Sequence, residues 1–180
     1  MNKLTIFNAI DPSKSTLSSN DAHVIATTLA TKGVRFEQWH ATTAITPAME
    51  QADVIAAYRN DIARLQADGG YQTVDVISLA KGNPDAAQLR QKFLFEHTHG
   101  EDEVRFFVKG QGLFCLHIAD EVIQVVCQQG DLIAVPALTP HWFDMGSDPE
   151  FTAIRLFNNP EGWVAKATGS PLANEFPLLD

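Results

Sequence analysis

The order of apolar and polar residues divides the chain into a helical first half and a strand-rich second half. Ser18–Asn20 offers N-cap oxygens before apolar residues at helical spacing, which predicts a first amphipathic helix. A single long helix is predicted between Thr46 and Gly69, because apolar side chains recur on one of its faces and glycine ends it. A shorter helix is predicted after Asn83–Asp85. All predicted helices therefore precede the middle of the chain.

Short runs of β-forming residues, separated by Gly, Asp and Pro, predict the strands. In the first half these runs are Leu4–Phe7, Val34–His40 and Val74–Leu79, with the stretch around Asp11-Pro12 read as a loop. In the second half they are Val104–Val108, Gly112–Ile118, Val122–Cys127, Leu132–Val135, His141–Met145 and Phe151–Phe157. Hairpin turns are predicted at Lys109–Gly112 and Ala119–Glu121. This pattern indicates a mainly β protein with peripheral helices, built on an antiparallel barrel or sandwich.

Length and charge narrow the class of protein. A chain of 180 residues suits one domain spanning 1–180, and no tract suggests a linker. Its 13 Lys+Arg against 22 Asp+Glu give a net charge of −9, which argues against nucleic acid as a partner. Apolar runs are too short for a signal peptide or a membrane span, so we expect a cytoplasmic protein that binds no membrane. We also expect the protein to be a monomer. Cys115 and Cys127 are expected to be buried, reduced thiols.

Four residues have the spacing of a metal site. His97 and His99 are two apart, so on an extended segment both imidazoles project from the same face. Glu103 lies four residues further, an even number that returns its carboxylate to that face. His141 would come from another strand, directly after Pro140, and Pro136 and Pro140 restrict the backbone there. We predict that these four side chains hold one divalent metal, with Fe(II), Ni(II), Mn(II) and Co(II) all compatible.

This ligand set leaves coordination positions open, which indicates catalysis more than structure. Glu101 and Asp102 are alternatives to Glu103 as the carboxylate ligand, but a solvated role or a contact that orients a ligand is the simpler reading. The other histidines have structural readings: His23 and His40 facing solvent, and His117 as a hydrogen-bonded core residue in an apolar strand.

Two arginines and three aromatic residues are candidates for a substrate pocket. Arg105 shares the strand parity of Glu103, and Arg155 lies in an apolar strand. A guanidinium directed into a barrel is costly unless it meets an anion, which could be a ligand carboxylate, another core carboxylate or a bound substrate. Phe107, Phe143 and Trp163 are predicted to line an apolar pocket, the alternative being plain core packing.

Two segments carry a family resemblance. The run HTHGEDEVRFFVKG, beginning at His97, resembles the first motif of the cupin superfamily, and GDLIAVPALTPHWFDM, from Gly130 to Met145, resembles the second. The second departs from the usual pattern at Leu138, where glycine is usual, and at Met145, where asparagine is usual. Together with FTAIRLF and NPEGW, these segments are similar to the acireductone dioxygenase family of bacterial methionine salvage.

The resemblance implies a cupin-type jelly-roll barrel and a metal-dependent dioxygenase. Its implied substrates are O₂ and the acireductone 1,2-dihydroxy-3-keto-5-methylthiopentene. The Fe(II) form would yield 2-keto-4-methylthiobutyrate and formate, and the Ni(II) form methylthiopropionate, formate and carbon monoxide. By position it implies the same four ligands, with Arg105 and Arg155 near the substrate. Another cupin enzyme acting on a small acid or enediol, and a cupin that only binds a small ligand, are the alternatives.

Overall fold

The computed structural model of the protein describes residues 1–159 and 164–180. In those residues the strands are β1 (Lys3–Asn8), β2 (Asp11–Ser19), β3 (Arg35–Gln38), β4 (Thr73–Leu79), β5 (His97–Thr98), β6 (Glu103–Ile118), β7 (Glu121–Gln128), β8 (Asp131–Val135), β9 (His141–Asp144), β10 (Phe151–Phe157) and β11 (Lys166–Ala167). The helices are α1 (Ala22–Thr31), α2 (Gln51–Ala57), α3 (Arg59–Gly69), α4 (Ala86–Phe93) and a short 3₁₀ helix (Leu172–Asn174). The expected class, mainly β with helices in the N-terminal half, is confirmed.

The strands form two antiparallel layers that share the long strand β6. The first layer has the order β11-β5-β9-β6-β7-β1-β2, and the second joins β4, β10, β6, β8 and β3. Residues of β6 up to Gly110 pair with β8 and β10, whereas those from Gln111 onward pair with β7 and β9. One strand therefore passes from one layer to the other and holds them together.

Alternation along the strands gives each layer an inner and an outer face. Inward side chains such as Phe107, Phe114 and Phe143 pack between the layers with the buried side of α1. The outer face of the second layer is covered by α2 and α3, whose apolar side chains include Val54 and Ile62. The outer face of the first layer packs against residues 172–179. None of the helices in the described residues has both the length and the apolar character to cross a bilayer.

The prediction of a loop around Asp11-Pro12 was wrong, because Asp11–Ser19 is strand β2. Among the strands of the described residues, this strand pairs only with β1, and it lies at the edge of its layer. Most of its side chains are exposed, so its sequence lacks the apolar alternation by which strands are recognised. Backbone hydrogen bonding to β1 makes this segment a strand, and the pattern of its side chains does not predict that pairing.

The single long helix was also a wrong prediction, since the chain forms α2 and α3 with a break at Tyr58. The first of them begins at Gln51, where the Asp53 carboxylate accepts a hydrogen bond from the backbone N–H of Glu50 at 2.9 Å. Tyr58 is 2% exposed, and its hydroxyl donates to the carbonyl of Thr43 at 3.0 Å. The backbone of Tyr58 departs from helical angles, with φ −108° and ψ 24°, although the apolar periodicity continues through it.

The predicted turn at Lys109–Gly112 is wrong as well, whereas the one at Ala119–Glu121 joins β6 to β7 as expected. At the first position β6 continues and changes layers, with Gly110 at φ +67° beside a bulge in its pairing with β10. Glycine accepts this left-handed conformation at little cost. The glycine-containing segment Lys109–Gly112 therefore marks a bend within one strand and not a turn between two strands.

Gly110→Ala should destabilise the protein strongly, because an added Cβ would lie 1.8 Å from the carbonyl oxygen of Glu150. We expect a loss of at least about 2 kcal/mol in the free energy of unfolding, from backbone strain and steric overlap together. Gly82→Ala is the matched control, since Gly82 has φ +70° with nothing within 4 Å of an added Cβ. It should cost about 1 kcal/mol. Equal losses in urea unfolding would contradict the prediction.

Candidate metal centre

The four predicted ligands meet at one end of the inner face. His97 opens β5, Glu103 opens β6 and His141 opens β9, while His99 follows β5 directly. His97 and His141 are opposite each other in the β5–β9 pair. All four side chains are buried, and one ligand atom from each lies within 4.8 Å of the others. The structure thus brings together the full predicted set.

The Glu103 carboxylate is the shared contact of the group. Its Oε2 atom lies 2.7 Å from Nε2 of His141 and 3.2 Å from Nε2 of His99. The three imidazole rings pack against one another, with ring centroids between 4.6 and 5.2 Å apart. An arrangement of three imidazoles and one carboxylate around a common point fits a single divalent transition metal.

Backbone carbonyls orient two of the imidazoles. Nδ1 of His97 lies 2.7 Å from the carbonyl oxygen of Phe95, and Nδ1 of His141 lies 2.7 Å from that of Thr139. A neutral ring that donates from Nδ1 presents Nε2 as the free lone pair. These contacts therefore select the tautomer that can bind a metal through Nε2.

The electrostatics of the site favour the metal-binding forms at two positions. Burial lowers the pKa of His97 to about 4, and the neighbouring His141 acts in the same direction. Burial by itself would raise the pKa of Glu103, but the charges of Arg105 and His141 hold it well below its usual range. Burial also opposes the charged form of His141, yet the Glu103 carboxylate outweighs it and raises that pKa. Metal binding at His141 would thus displace a proton.

Arg105 is the buried cation next to this carboxylate. Its Nε lies 2.7 Å from Oε1 of Glu103, and the Arg105 side chain is 4% exposed. The guanidinium carbon lies 4.6 Å from the ring centroid of Phe143 and 5.1 Å from that of Phe114. Of the three anions considered from sequence, the structure therefore pairs Arg105 with a ligand carboxylate. Contact between Arg105 and a substrate stays a prediction.

Arg155 forms a two-pronged ion pair with Asp75 on the adjacent strand β4. The Nε–Oδ1 distance is 2.8 Å and the Nη2–Oδ2 distance is 2.5 Å. Arg155 stands opposite Arg105 in the β10–β6 pairing and opposite Asp75 in the β10–β4 pairing, so the three form one row across the inner face. Its side chain is 22% exposed, which places it nearer to solvent than Arg105. The sequence reading did not identify Asp75, since only strand register shows that it faces Arg155.

The predicted aromatic pocket residues have different outcomes. Phe107 and Phe143 are at most 1% exposed, and they pack with Phe114 and Phe151 between the layers. Core packing is what the structure shows for both rings, and their role in a pocket stays a prediction. Trp163 lies outside the described residues.

The remaining acidic and histidine residues lie outside the four-residue group. Glu101 accepts hydrogen bonds from the backbone of Asn158 and Asn159, and Asp102 accepts one from Ala137. Both therefore hold loops around the site. His23 and His40 are exposed, as expected. His117 is hydrogen-bonded to Glu96 as expected, but the expectation that it is a core residue was wrong, because its side chain is 26% exposed.

A separate surface cleft of ≈ 930 Å³ lies at the opposite end of the layers, beside Gly110, Gln128 and Glu150. It includes none of the four clustered residues. Its lining contains neither a buried cation nor a group of histidines. The chemistry of the described residues therefore points to the smaller, buried His/Glu group and not to this cleft.

Replacing any of the four clustered residues by alanine should sharply reduce bound metal. Each of His97→Ala, His99→Ala, Glu103→Ala and His141→Ala removes one donor atom, and we expect at least about tenfold weaker binding. Elemental analysis of purified protein measures this directly. His23→Ala, at an exposed position on α1, is the control and should keep the wild-type metal content. Any of the four variants that retains full metal removes its residue from the ligand set.

Comparison with known proteins agrees with the site. The model of the ARD/ARD′ family matches residues 4–165. Acireductone dioxygenase from Klebsiella oxytoca is 58% identical over 179 residues, and that from Synechococcus sp. (strain RCC307) is 55% identical over 183 residues, each match covering 99% of both chains.

A solved structure gives the same answer for the fold. Acireductone dioxygenase from Bacillus anthracis, with a cadmium ion in its active centre, superimposes with a TM-score of 0.79 at 30% identity, covering 92% of this chain and 98% of that one. The resemblance read from the two sequence motifs and the expected cupin-type fold are thus confirmed. Since the match extends over almost the whole chain, the protein belongs to the ARD/ARD′ family.

Proposed function

We propose that this protein is a metal-dependent acireductone dioxygenase. It would cleave 1,2-dihydroxy-3-keto-5-methylthiopentene with O₂, and His97, His99, Glu103 and His141 would hold the metal. The observation that carries the proposal is the convergence of these four buried donors, in a chain whose full-length relatives have this activity in their names. The pathway would be methionine salvage.

The donor set suits this chemistry. Four protein donors leave two positions of a six-coordinate shell for a bidentate enediol, and a bound divalent metal would supply Lewis acidity there. His97 and His141 present Nε2 because their Nδ1 atoms are held by carbonyls. We infer Fe(II) or Ni(II) as the occupant, with Mn(II) and Co(II) also accepted by these donors.

The neighbouring charges would prepare the site for an anionic substrate. Arg105 keeps Glu103 ionised and holds its carboxylate against the imidazoles. Arg155 lies in the same row and reaches solvent, so it is the cation that an incoming enediolate would meet first. The four donors are buried, and the low dielectric of a buried site would strengthen these interactions with the substrate.

The metal would determine the products. We propose that the Fe(II) form gives 2-keto-4-methylthiobutyrate and formate, whereas the Ni(II) form gives methylthiopropionate, formate and carbon monoxide. Both reactions consume one O₂ per acireductone. The protein residues of the site are the same in the two cases, so the difference would lie in how the bound substrate meets O₂.

Loading the apoprotein separately with Fe(II) and Ni(II) tests the proposal. Acireductone loss, O₂ uptake and carbon monoxide release are followed for each form. We expect turnover in both and carbon monoxide from the Ni(II) form alone. Stoichiometric metal without any acireductone turnover would favour a cupin that only binds a ligand. Turnover of another small acid or enediol in its place would favour a different cupin enzyme.

Arg155→Ala should raise KM for the acireductone by about tenfold, because one charge-assisted contact with the substrate is lost. The amount of bound metal should not change. Asp75→Ala is the matched control, because it breaks the same ion pair but leaves the cation in place. If Arg155 serves only that ion pair, the two variants will have the same kinetics. A KM effect confined to Arg155→Ala supports substrate contact.

A further inference from the structure

We infer that Glu96 is a positioning residue of the metal centre, acting on His97 from the outer side of strand β5. The inference rests on the proposal that His97 is a metal ligand. Glu96 immediately precedes strand β5, which begins at His97. The Glu96 carboxylate contacts His117 and Thr168, whereas His97 belongs to the four-residue cluster, so the two neighbouring side chains have different partners.

The Glu96 carboxylate is buried and fully engaged. Its side chain is 3% exposed, with Oε2 lying 2.9 Å from Nδ1 of His117 and Oε1 accepting a hydrogen bond from the Thr168 hydroxyl at 2.5 Å. The backbone carbonyl of Glu96 also accepts from the N–H of Thr168 at 3.1 Å. Burying a carboxylate is costly unless such contacts compensate it. The contacts fix this residue at both its side chain and its backbone.

Fixing Glu96 fixes the orientation of the His97 ring. The carbonyl that accepts from Nδ1 of His97 belongs to Phe95, the residue on the other side of Glu96. Any rotation of the segment at Glu96 would move this acceptor and turn the imidazole. Strand β5 has two residues, which pair with β9 at one register position and with β11 at two. Its ladder is therefore short, and Glu96 adds an attachment directly before it.

His117 connects this anchor to the second half of the site. Its side chain contacts Glu96, and its backbone N–H donates to the carbonyl of Pro140 at 2.8 Å. Pro140 immediately precedes His141. His117, near the end of β6, thus contacts both segments that carry predicted ligands. Its side chain contacts the segment of His97, and its backbone contacts the segment of His141.

A buried carboxylate can also serve stability alone, and Asp131 is such a case. Asp131 is 0% exposed and accepts hydrogen bonds from the Asn2 amide at 2.6 Å and from the backbone of Gln128 at 2.7 Å. A third partner is the Gln38 amide at 3.5 Å. These partners lie at the end of β7, at the end of β3 and at the start of the chain, and none of them is one of the clustered residues. Asp131 is therefore buried like Glu96, but these hydrogen-bond partners do not lie in the segments that carry the clustered residues.

The test measures Co²⁺ binding by the purified full-length chain, by competition with a chelator and by the visible absorption of bound Co²⁺. Glu96→Ala should weaken Co²⁺ binding by about 10- to 100-fold, as loss of an outer hydrogen-bond partner does at metal sites, and should change the absorption bands. Glu96→Gln should retain most of the affinity, because an amide can accept from Thr168 and donate to a neutral His117. Asp131→Ala should lower Tm but leave the affinity unchanged.

Thr168→Val removes one of the two side-chain contacts at nearly constant shape, and it keeps the test decisive if Glu96→Ala does not fold. It should weaken Co²⁺ binding less than the loss of both contacts. Wild-type affinity and spectrum in Thr168→Val and in folded Glu96→Ala would overturn the inference, as would an equal loss in Asp131→Ala. If the wild-type chain fails to bind Co²⁺, the proposed metal site fails with it.

Discussion

The interaction on which the site depends is the burial of the Glu103 carboxylate between Arg105 and the histidines. An isolated buried anion is unstable, and removing one partner of a buried ion pair costs about 3–5 kcal/mol. Arg105 compensates the charge at 2.7 Å and lies over the rings of Phe143 and Phe114. The carboxylate is thereby tied both to the donor cluster and to the aromatic core between the two layers.

The fold supplies this arrangement through one strand. β6 carries Glu103 and Arg105 on its inner face in the second layer, then bends at Gly110 and pairs with β9 in the first layer. Through that pairing His141 is fixed relative to the same strand, and through β9 the short strand β5 is fixed in turn. The proposed anchor at Glu96 adds a second attachment for β5, on the side away from the donors.

The row Arg105, Arg155 and Asp75 shows why a local reading of charge was incomplete. Sequence parity with Glu103 predicted that Arg105 faces inward, and the β10–β6 register places Arg155 directly opposite it. Their partners were not predictable, because Asp75 is eighty residues from Arg155 and meets it only through the β4–β10 register. Whether a cation is available to substrate depends on such pairings, which long-range contacts decide.

Local residue order was enough to predict the class of fold, most strands, and the four residues that cluster as candidate metal ligands, because parity and motif spacing act over a few residues. It could not show that β2 is a strand, that Tyr58 divides a helix or that Gly110 bends β6, since each depends on a distant backbone or ring. Glu96 carries no signal of its own beside His97. Only the tertiary structure brings Glu96 to His117 and Thr168 and makes it part of the support of the site.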